Sequence, residues 1–401
     1  MLSVETVLDQ ILNSTHPLES YGVPVPRSYR RVASESVLSP ISIPLFDNSS
    51  MDGYAVLSSD VRSASATNPV TLRLIDSVPA GSASCQTVST GTAIRIFTGS
   101  PLPRGADAVV MQEDVRVPFD SRDTIIISEP IRPFENVRLK GEDLKQGTLL
   151  LAKGQEVGFG QLALLSAVGL KEVRVQAQPL VGLISTGSEL REAGQTLGPG
   201  EIYESNRATL ACMLERDGLG VRPFPLVCDS RQATQDILTE AFETCDAVIT
   251  TGGVSVGEHD HVKDAFVAIG GKIDLWRIAA RPGKPFLFGL RKSVPLFGLP
   301  GNPVSAMVGF QILVRPALAR MRGLQNWVPK TLQANLSEAI PNPGDRRHFV
   351  RVKMLPDGTI ASSGRQASHM LSSLATSIGL VDVPPSTTLE AGQTVCVILW
   401  D

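Results

Sequence analysis

The chain has 401 residues, with 37 basic against 40 acidic side chains and a formal charge of −3. That length allows roughly two to four domains with separate cores, and the balanced charge excludes the strongly basic footprint of a nucleic-acid binder. With 19% charged residues, 35 Gly, 28 Pro and five scattered cysteines lacking any C-x-x-C pair, the composition fits a turn-rich globular protein, not a disulfide framework or a zinc knuckle.

In chain order, residues 4–12 carry Val4, Val7, Leu8, Ile11 and Leu12 on one helical face. Acids and polar residues interrupt this N-terminal stretch, unlike a signal peptide, and no apolar run reaches the ~18–20 residues of a membrane span. The expectation is a cytoplasmic protein with no membrane partner. From about Val32 to Val56 the chain reads as extended and turn-rich, and short apolar runs separated by Gly, Pro and Ser from about 55 to 140 predict a small β-rich domain.

A new unit opens near Gln178-Pro179. Its predicted order is strand 180–184, helix 206–217, strand 221–227, helix 231–243, strand 246–250 and helix 261–269. Extended segments 273–279 and 285–289, a strand 294–298 and a helix 303–320 follow. Asn302-Pro303 reads as an N-cap with Pro at the first helical position, and Pro316 as a kink or end of that helix. Beyond 328, strands at 348–354 and 394–399 predict a small all-β tail.

Three apolar runs in this unit end in Gly- or Pro-bearing turns: Ser185-Thr186-Gly187-Ser188-Glu189, Thr250-Thr251-Gly252-Gly253-Val254-Ser255 and Leu299-Pro300-Gly301-Asn302-Pro303. Strands alternating with helices predict an open parallel sheet, which binds ligands at the carboxyl ends of its strands. Turns of this kind offer backbone N–H groups to oxyanions, and glycine permits both φ > 0 and close approach. Thr186, Ser188 and Ser305 add hydroxyls. Glu189, Asp229 and Asp260 follow three strand ends, and carboxylates beside bound phosphates suit Mg²⁺, a cation of hard oxygen ligands. Asp229 alternatively only caps the helix after it. Arg281-Pro282-Gly283-Lys284-Pro285 sets two cations on a rigid turn, either a tetrahedral-oxyanion site or a solvated basic turn. His259-Asp260-His261 lacks a third nitrogen or sulfur ligand for zinc.

Eight segments occur in one order: DNSSMDGYAV (47–56), RIFTGSPLPRGADAVVMQED (95–114), GEDL (141–144), STGSEL (185–190), YESNR (203–207), TTGGVSVGEHDHVKD (250–264), RPGKP (281–285) and GLPGNPVSA (298–306). Together they resemble the molybdopterin molybdenumtransferase family, the bacterial MoeA type that includes the gephyrin E domain. The resemblance implies insertion of molybdenum from molybdate into adenylylated molybdopterin with release of AMP, assisted by Mg²⁺. It implies catalytic acids at Asp52, Asp143, Glu189, Asp229 and Asp260, the last three as metal ligands. Substrate contacts fall at Thr98, Gly99, Thr186, Gly187, Ser188, Thr251, Gly252, Gly253 and Ser255, and molybdate contacts at Arg281, Lys284, Pro300, Gly301 and Ser305. It further implies a homodimer in which Asp52 reaches the site of the partner subunit, with a molybdopterin adenylyltransferase and apo-molybdoenzymes as possible partners.

The expected fold is multidomain α/β plus β: a mostly parallel adenylyltransferase-like α/β domain, a β-rich insert and a C-terminal β-barrel-like domain. The expected division is 1–45 with 142–178, then 46–141, 179–327 and 328–401. Two other readings stand beside it, a scaffold of the gephyrin E type and an adenylyltransferase or nucleotide pyrophosphatase.

Overall fold

The computed structural model describes residues 1–121, 123–254, 261–325 and 327–400. The chain divides into two compact units, Ser36–Ala152 with Phe159–Lys171, and Met1–Glu35 with Lys153–Gly158 and Glu172–Asp401. The finer four-part division given above remains a proposal.

The smaller unit is built on a six-stranded sheet in the order Ala108–Met111, Gly53–Val56, Thr92–Ile96, Val70–Val78, Thr124–Ile127, Val115–Arg116. Its two edge strands are joined by the single 3₁₀ turn Gln112–Asp114, which brings the sheet close to a closed barrel. Closure removes edge strands and gives the short β runs a core, here Tyr54, Val56, Leu72, Val110, Ile125 and Ile127.

The larger unit begins with helix α1 (Val4–Ser14), capped by Ser3, whose Oγ accepts from the Thr6 amide at 3.1 Å. Val4, Val7 and Ile11 are buried on the predicted apolar face. The α/β sheet comprises β1 (Leu180–Ser185), β2 (Gly220–Pro223), β3 (Ala247–Thr251), β4 (Lys272–Trp276), β5 (Leu287–Arg291) and β6 (Val294–Leu299), ordered β2-β1-β3-β6-β5-β4. The four strands from β2 to β6 pair in parallel, whereas β5 and β4 form an antiparallel edge. That edge follows from the short Lys292-Ser293 connection between β5 and β6, too short for a crossover helix. Helices α2 (Asn206–Arg216), α3 (Arg231–Thr244), α4 (Val262–Ala268) and α5 (Pro303–Gly309) flank the sheet, which buries a cluster such as Val181, Leu183, Ile249, Phe297 and Leu299 on one face.

The helix after β6 continues beyond its predicted trouble spot. A π-helical segment, Phe310–Val314, follows α5, and the helix resumes at Arg315–Met321 with Pro316 in its first turn. The local change of winding accommodates the missing Pro N–H, so Pro316 does not end the helix.

The C-terminal residues form a barrel-like β domain whose main sheet holds β7 (Thr331–Asn335), β8 (Arg347–Met354), β9 (Gly379–Val383) and β10 (Thr394–Leu399). Its core includes Leu336, Val350, Val352, Val381 and Val397. The short strand Ala280–Arg281 joins the β8 edge in parallel, pairing Arg281 with His348. Among the described residues, no helix is long and apolar enough to cross a membrane.

Candidate functional site

The turns after β1, β3 and β6 line one cavity of about 680 Å³ at the carboxyl ends of the parallel strands. Thr186, Gly187, Glu189, Asp229, Thr251, Gly252, Gly253, Pro300 and Gly301, all expected from the sequence, contribute to its wall. Such a crevice is where open α/β sheets place ligands.

The donors are fewer than the turn sequences suggest. The Thr186 amide donates to the Thr251 carbonyl at 2.9 Å, Gly187 to Val227 at 3.0 Å and Gly252 to Leu299 at 3.1 Å. These bonds stitch adjacent strand ends together and leave those groups unable to meet a phosphate. Among the described residues, the amides of Gly253 and Gly301 make no hydrogen bond and remain available. The Thr186 hydroxyl is buried without a partner among the described residues, as is the Asn206 Oδ1. A buried polar atom without a partner costs free energy, so both groups suit a bound polar ligand.

Gly252 instead serves the backbone. Its φ is +83°, and a Cβ there would lie 2.4 Å from the Thr186 carbonyl oxygen. Gly253, at φ +66°, leaves only 2.6 Å to the Val262 side chain. Only glycine lets the turn after β3 pack this closely on the turn after β1.

Glu189 and Asp229 are exposed carboxylates on the wall of the cavity. Asp229 does not cap the next helix. Its Oδ2 accepts from the Ser188 amide at 3.0 Å, while its own amide donates to the Ser188 Oγ at 2.9 Å. Ser230 caps α3 instead, through the Ala233 amide at 3.4 Å. Asp229 thus locks the turn after β1, with a carboxylate that keeps lone pairs for a cation. Asp260 and Ser255 lie outside the described residues, as does His259. Among the described residues, no group of three or more His, Cys, Asp or Glu side chains is arranged to hold a metal. His261 directly precedes α4.

The RPGKP turn presents Arg281 and Lys284 as exposed side chains over buried Pro282 and Gly283. A Cβ on Gly283 would sit 3.6 Å from the Ser305 carbonyl, so this turn abuts the start of α5. Ser305 is 4% exposed. Asn302 precedes α5 but does not cap it with its side chain, which donates to the Ser368 Oγ at 3.2 Å.

The sequence shows a family-like Arg346-Arg347-His348-Phe349 followed by Arg351 but gives no role to the groups behind Arg281. His348 is 5% exposed, with neither ring nitrogen bonded, and Arg351 is fully buried with Nε and Nη1 unbonded. One Arg351 Nη donates to the carbonyls of Arg365 and Ala367. Burial, then the charges of Arg281, Arg351 and Arg346, lower the His348 pKa from 6.5 to about 4. The unfolded chain therefore binds the extra proton between those values, and stability falls as pH drops from about 6.5 towards 4. Urea midpoints should decline over that range, with His348 contributing on the order of 2–3 kcal/mol. The His348→Gln variant should show a shallower decline; an unchanged slope would contradict a neutral buried His348.

Sequence reasoning also passed over Asn206, inside the YESNR motif. Its Nδ2 donates to the Gly301 carbonyl at 2.8 Å and so ties α2 to the turn after β6. Glu204 likewise accepts from the Ser185 hydroxyl at 3.1 Å and the Arg207 amide at 2.7 Å. The usable signal was the motif's position at a helix start beside the glycine turns.

Asp52, Thr98, Gly99 and Asp143 belong to the smaller unit. There the Asp52 Oδ1 accepts from the Thr98 amide at 2.8 Å and the Thr98 hydroxyl at 2.9 Å. The Thr98 amide first, then its hydroxyl, holds the Asp52 carboxyl below the usual range, with Arg95 adding a smaller pull. Asp143 is exposed and donates its amide to the Ile43 carbonyl at 3.1 Å.

Three family models cover the chain: the MoeA N-terminal region (domain I and II) at residues 2–169, a probable molybdopterin binding domain at 182–320, and the MoeA C-terminal region (domain IV) at 333–400. The chain is 35% identical to a Haemophilus influenzae molybdopterin molybdenumtransferase, over 99% of this chain and 98% of that protein. It is 37% identical to the Mycobacterium tuberculosis molybdopterin molybdenumtransferase 2, over 99% and 98%. A crystal structure of the Pyrococcus horikoshii molybdopterin biosynthesis MoeA protein matches with a TM-score of 0.87 at 33% identity, covering 100% of this chain and 99% of that one. With identity of this level along the whole chain, and with the glycine turns folded into one crevice, the chain belongs to the molybdopterin molybdenumtransferase family.

Proposed function

We propose that this chain inserts molybdenum from molybdate into adenylylated molybdopterin and releases AMP. The observation that carries the reading is the cavity at the strand ends, with the free Gly253 and Gly301 amides and the unpartnered Thr186 hydroxyl on its wall. These groups suit the phosphates of the substrate, because fixed donors need no reorganisation when charge develops. Arg281 and Lys284 suit the molybdate dianion: the guanidinium offers a planar fork, the ammonium a point charge. Ser305 and the backbone at Pro300-Gly301 complete the proposed oxyanion contacts.

Glu189 and Asp229 carry the hard oxygens that Mg²⁺ prefers, and Asp260 is proposed as the third acid. When bound, the ion would offset phosphate charge during cleavage of the anhydride. Asp229 at the same time positions the turn after β1, and Asn206 positions the turn after β6. Catalysis by this set is placement and electrostatics, without a covalent intermediate. Asp52, Thr98, Gly99 and Asp143 remain proposed contributors. A stand-alone adenylyltransferase or pyrophosphatase is not favoured, since the likeness extends over both flanking regions. A scaffold needs no open donor set or exposed cationic turn. The direct test is elemental analysis of molybdopterin recovered after incubation with molybdate: one molybdenum per molybdopterin is expected, and metal-free molybdopterin would overturn the reading.

A homodimer is part of the same proposal. In the smaller unit, Leu45, Phe46, Met51, Phe134 and Leu139 are each 38–55% exposed. The segments bearing them are adjacent, since Asn48 and Ser49 pair with Arg138 and Val137. Exposed apolar side chains on adjacent segments suit a subunit interface. Sedimentation should report a dimer, and Phe46→Asp should weaken it by about tenfold or more, the scale of losing one buried aromatic anchor. A monomeric wild-type protein would contradict the proposal.

A further inference from the structure

A second cleft, of about 340 Å³, opens away from the proposed active site. Asp217 and Leu219 on its wall link the end of α2 to the beginning of β2, so it lies at the amino ends of the parallel strands. Among the described residues, its wall carries five cations, Arg30, Arg216, Arg315, Arg322 and Lys330, against two carboxylates, Glu156 and Asp217.

The two carboxylates are already committed. Asp217 is held by both ends of the Arg315 guanidinium at 2.6 and 2.7 Å, and Glu156 accepts from Arg322 Nη2 at 2.7 Å. Arg322 is only 5% exposed, yet its Nε has no hydrogen-bond partner. A buried guanidinium N–H left unbonded is costly, and an oxyanion in the cleft would relieve it. Lys330 is exposed, and among the described residues its ammonium makes no hydrogen bond or ion pair. Trp327 supplies an aromatic surface, with the Arg315 guanidinium 5.7 Å from its ring centroid.

We propose that this cleft binds a nucleoside monophosphate, with its phosphate dianion between Arg322 and Lys330 and its planar base against Trp327. The excess of positive charge matches a dianion better than a carboxylate. The volume sits at the lower end of the roughly 300–1,000 Å³ of small-molecule sites, which suits one nucleotide. This site is separate from the cavity at the carboxyl ends, and the inference does not rest on the proposed reaction.

The test labels the full chain with 5-fluorotryptophan, which gives three resonances from Trp276, Trp327 and Trp400, and assigns the second by Trp327→Phe. AMP should shift the Trp327 resonance saturably. Lys330→Glu should weaken that titration by about tenfold or more, in line with a lost charge-assisted bond. Asp229→Asn, in the other cavity, should leave it unchanged. Inorganic phosphate should act only at higher concentration, because it lacks the ring. No shift, a shift indifferent to Lys330→Glu, or phosphate as effective as AMP would overturn the proposal.

Discussion

Gly252→Val is expected to cut AMP release by about two to three orders of magnitude, since displacing a positioned loop by an ångström costs on that scale. The residue holds φ at +83°, where a β-branched side chain is strained, and its Cβ would lie 2.4 Å from the Thr186 carbonyl oxygen. That carbonyl belongs to the turn after β1, so the two turns would separate. Gly253, on the wall of the cavity, would move with them. Circular dichroism should show a folded chain, because the change is confined to the strand ends and spares the core. Activity within a few-fold of wild type would show that the packing of these turns is irrelevant to the reaction.

The second large effect is expected at the cationic turn. Arg281→Ala and Lys284→Ala should each raise the molybdate concentration for half-maximal rate by roughly 10–100-fold, as for the loss of a hydrogen bond to a charged group. The affinity for adenylylated molybdopterin should change much less, because its phosphates are proposed to meet the glycine turns instead. Neither side chain supports the fold: both are exposed, while Pro282 and Gly283 between them are buried. Raised salt should weaken molybdate binding to the wild type and have less effect on Arg281→Ala. If molybdate dependence is unchanged in both variants, the oxyanion must bind elsewhere.

The glycine turns and their order were legible in the sequence because a strand ending in Gly-Gly or Pro-Gly leaves few alternatives. Thr186, Thr251 and Gly301 accordingly meet in one cavity. The allocation of hydrogen bonds was not legible. Whether the Gly187 amide faces a ligand or the Val227 carbonyl depends on how two distant strand ends are juxtaposed, which no local pattern encodes. Asp229 shows the same limit. Its place before a helix suggests a cap, but the neighbouring Ser188 competes for the carboxylate and Ser230 takes the cap.

The antiparallel edge and the outcome at Pro316 were left open by the sequence for local reasons. The segments 285–289 and 294–298 read only as extended, and their antiparallel pairing shows once the two-residue connection Lys292-Ser293 is placed between them. Pro316 sits after a π-helical segment that the sequence does not announce. The burial of His348 and Arg351 was hidden more deeply. Charged residues in a strand normally face solvent, and only the pairing of Arg281 with His348 brings them behind the cationic turn.

The most direct measurement is AMP release from adenylylated molybdopterin, with and without molybdate and Mg²⁺, by this protein and its Asp260→Ala variant. Release that requires both additions, and collapses in the variant, is the predicted result. Absence of release from a folded wild-type chain that still binds molybdopterin would contradict the account.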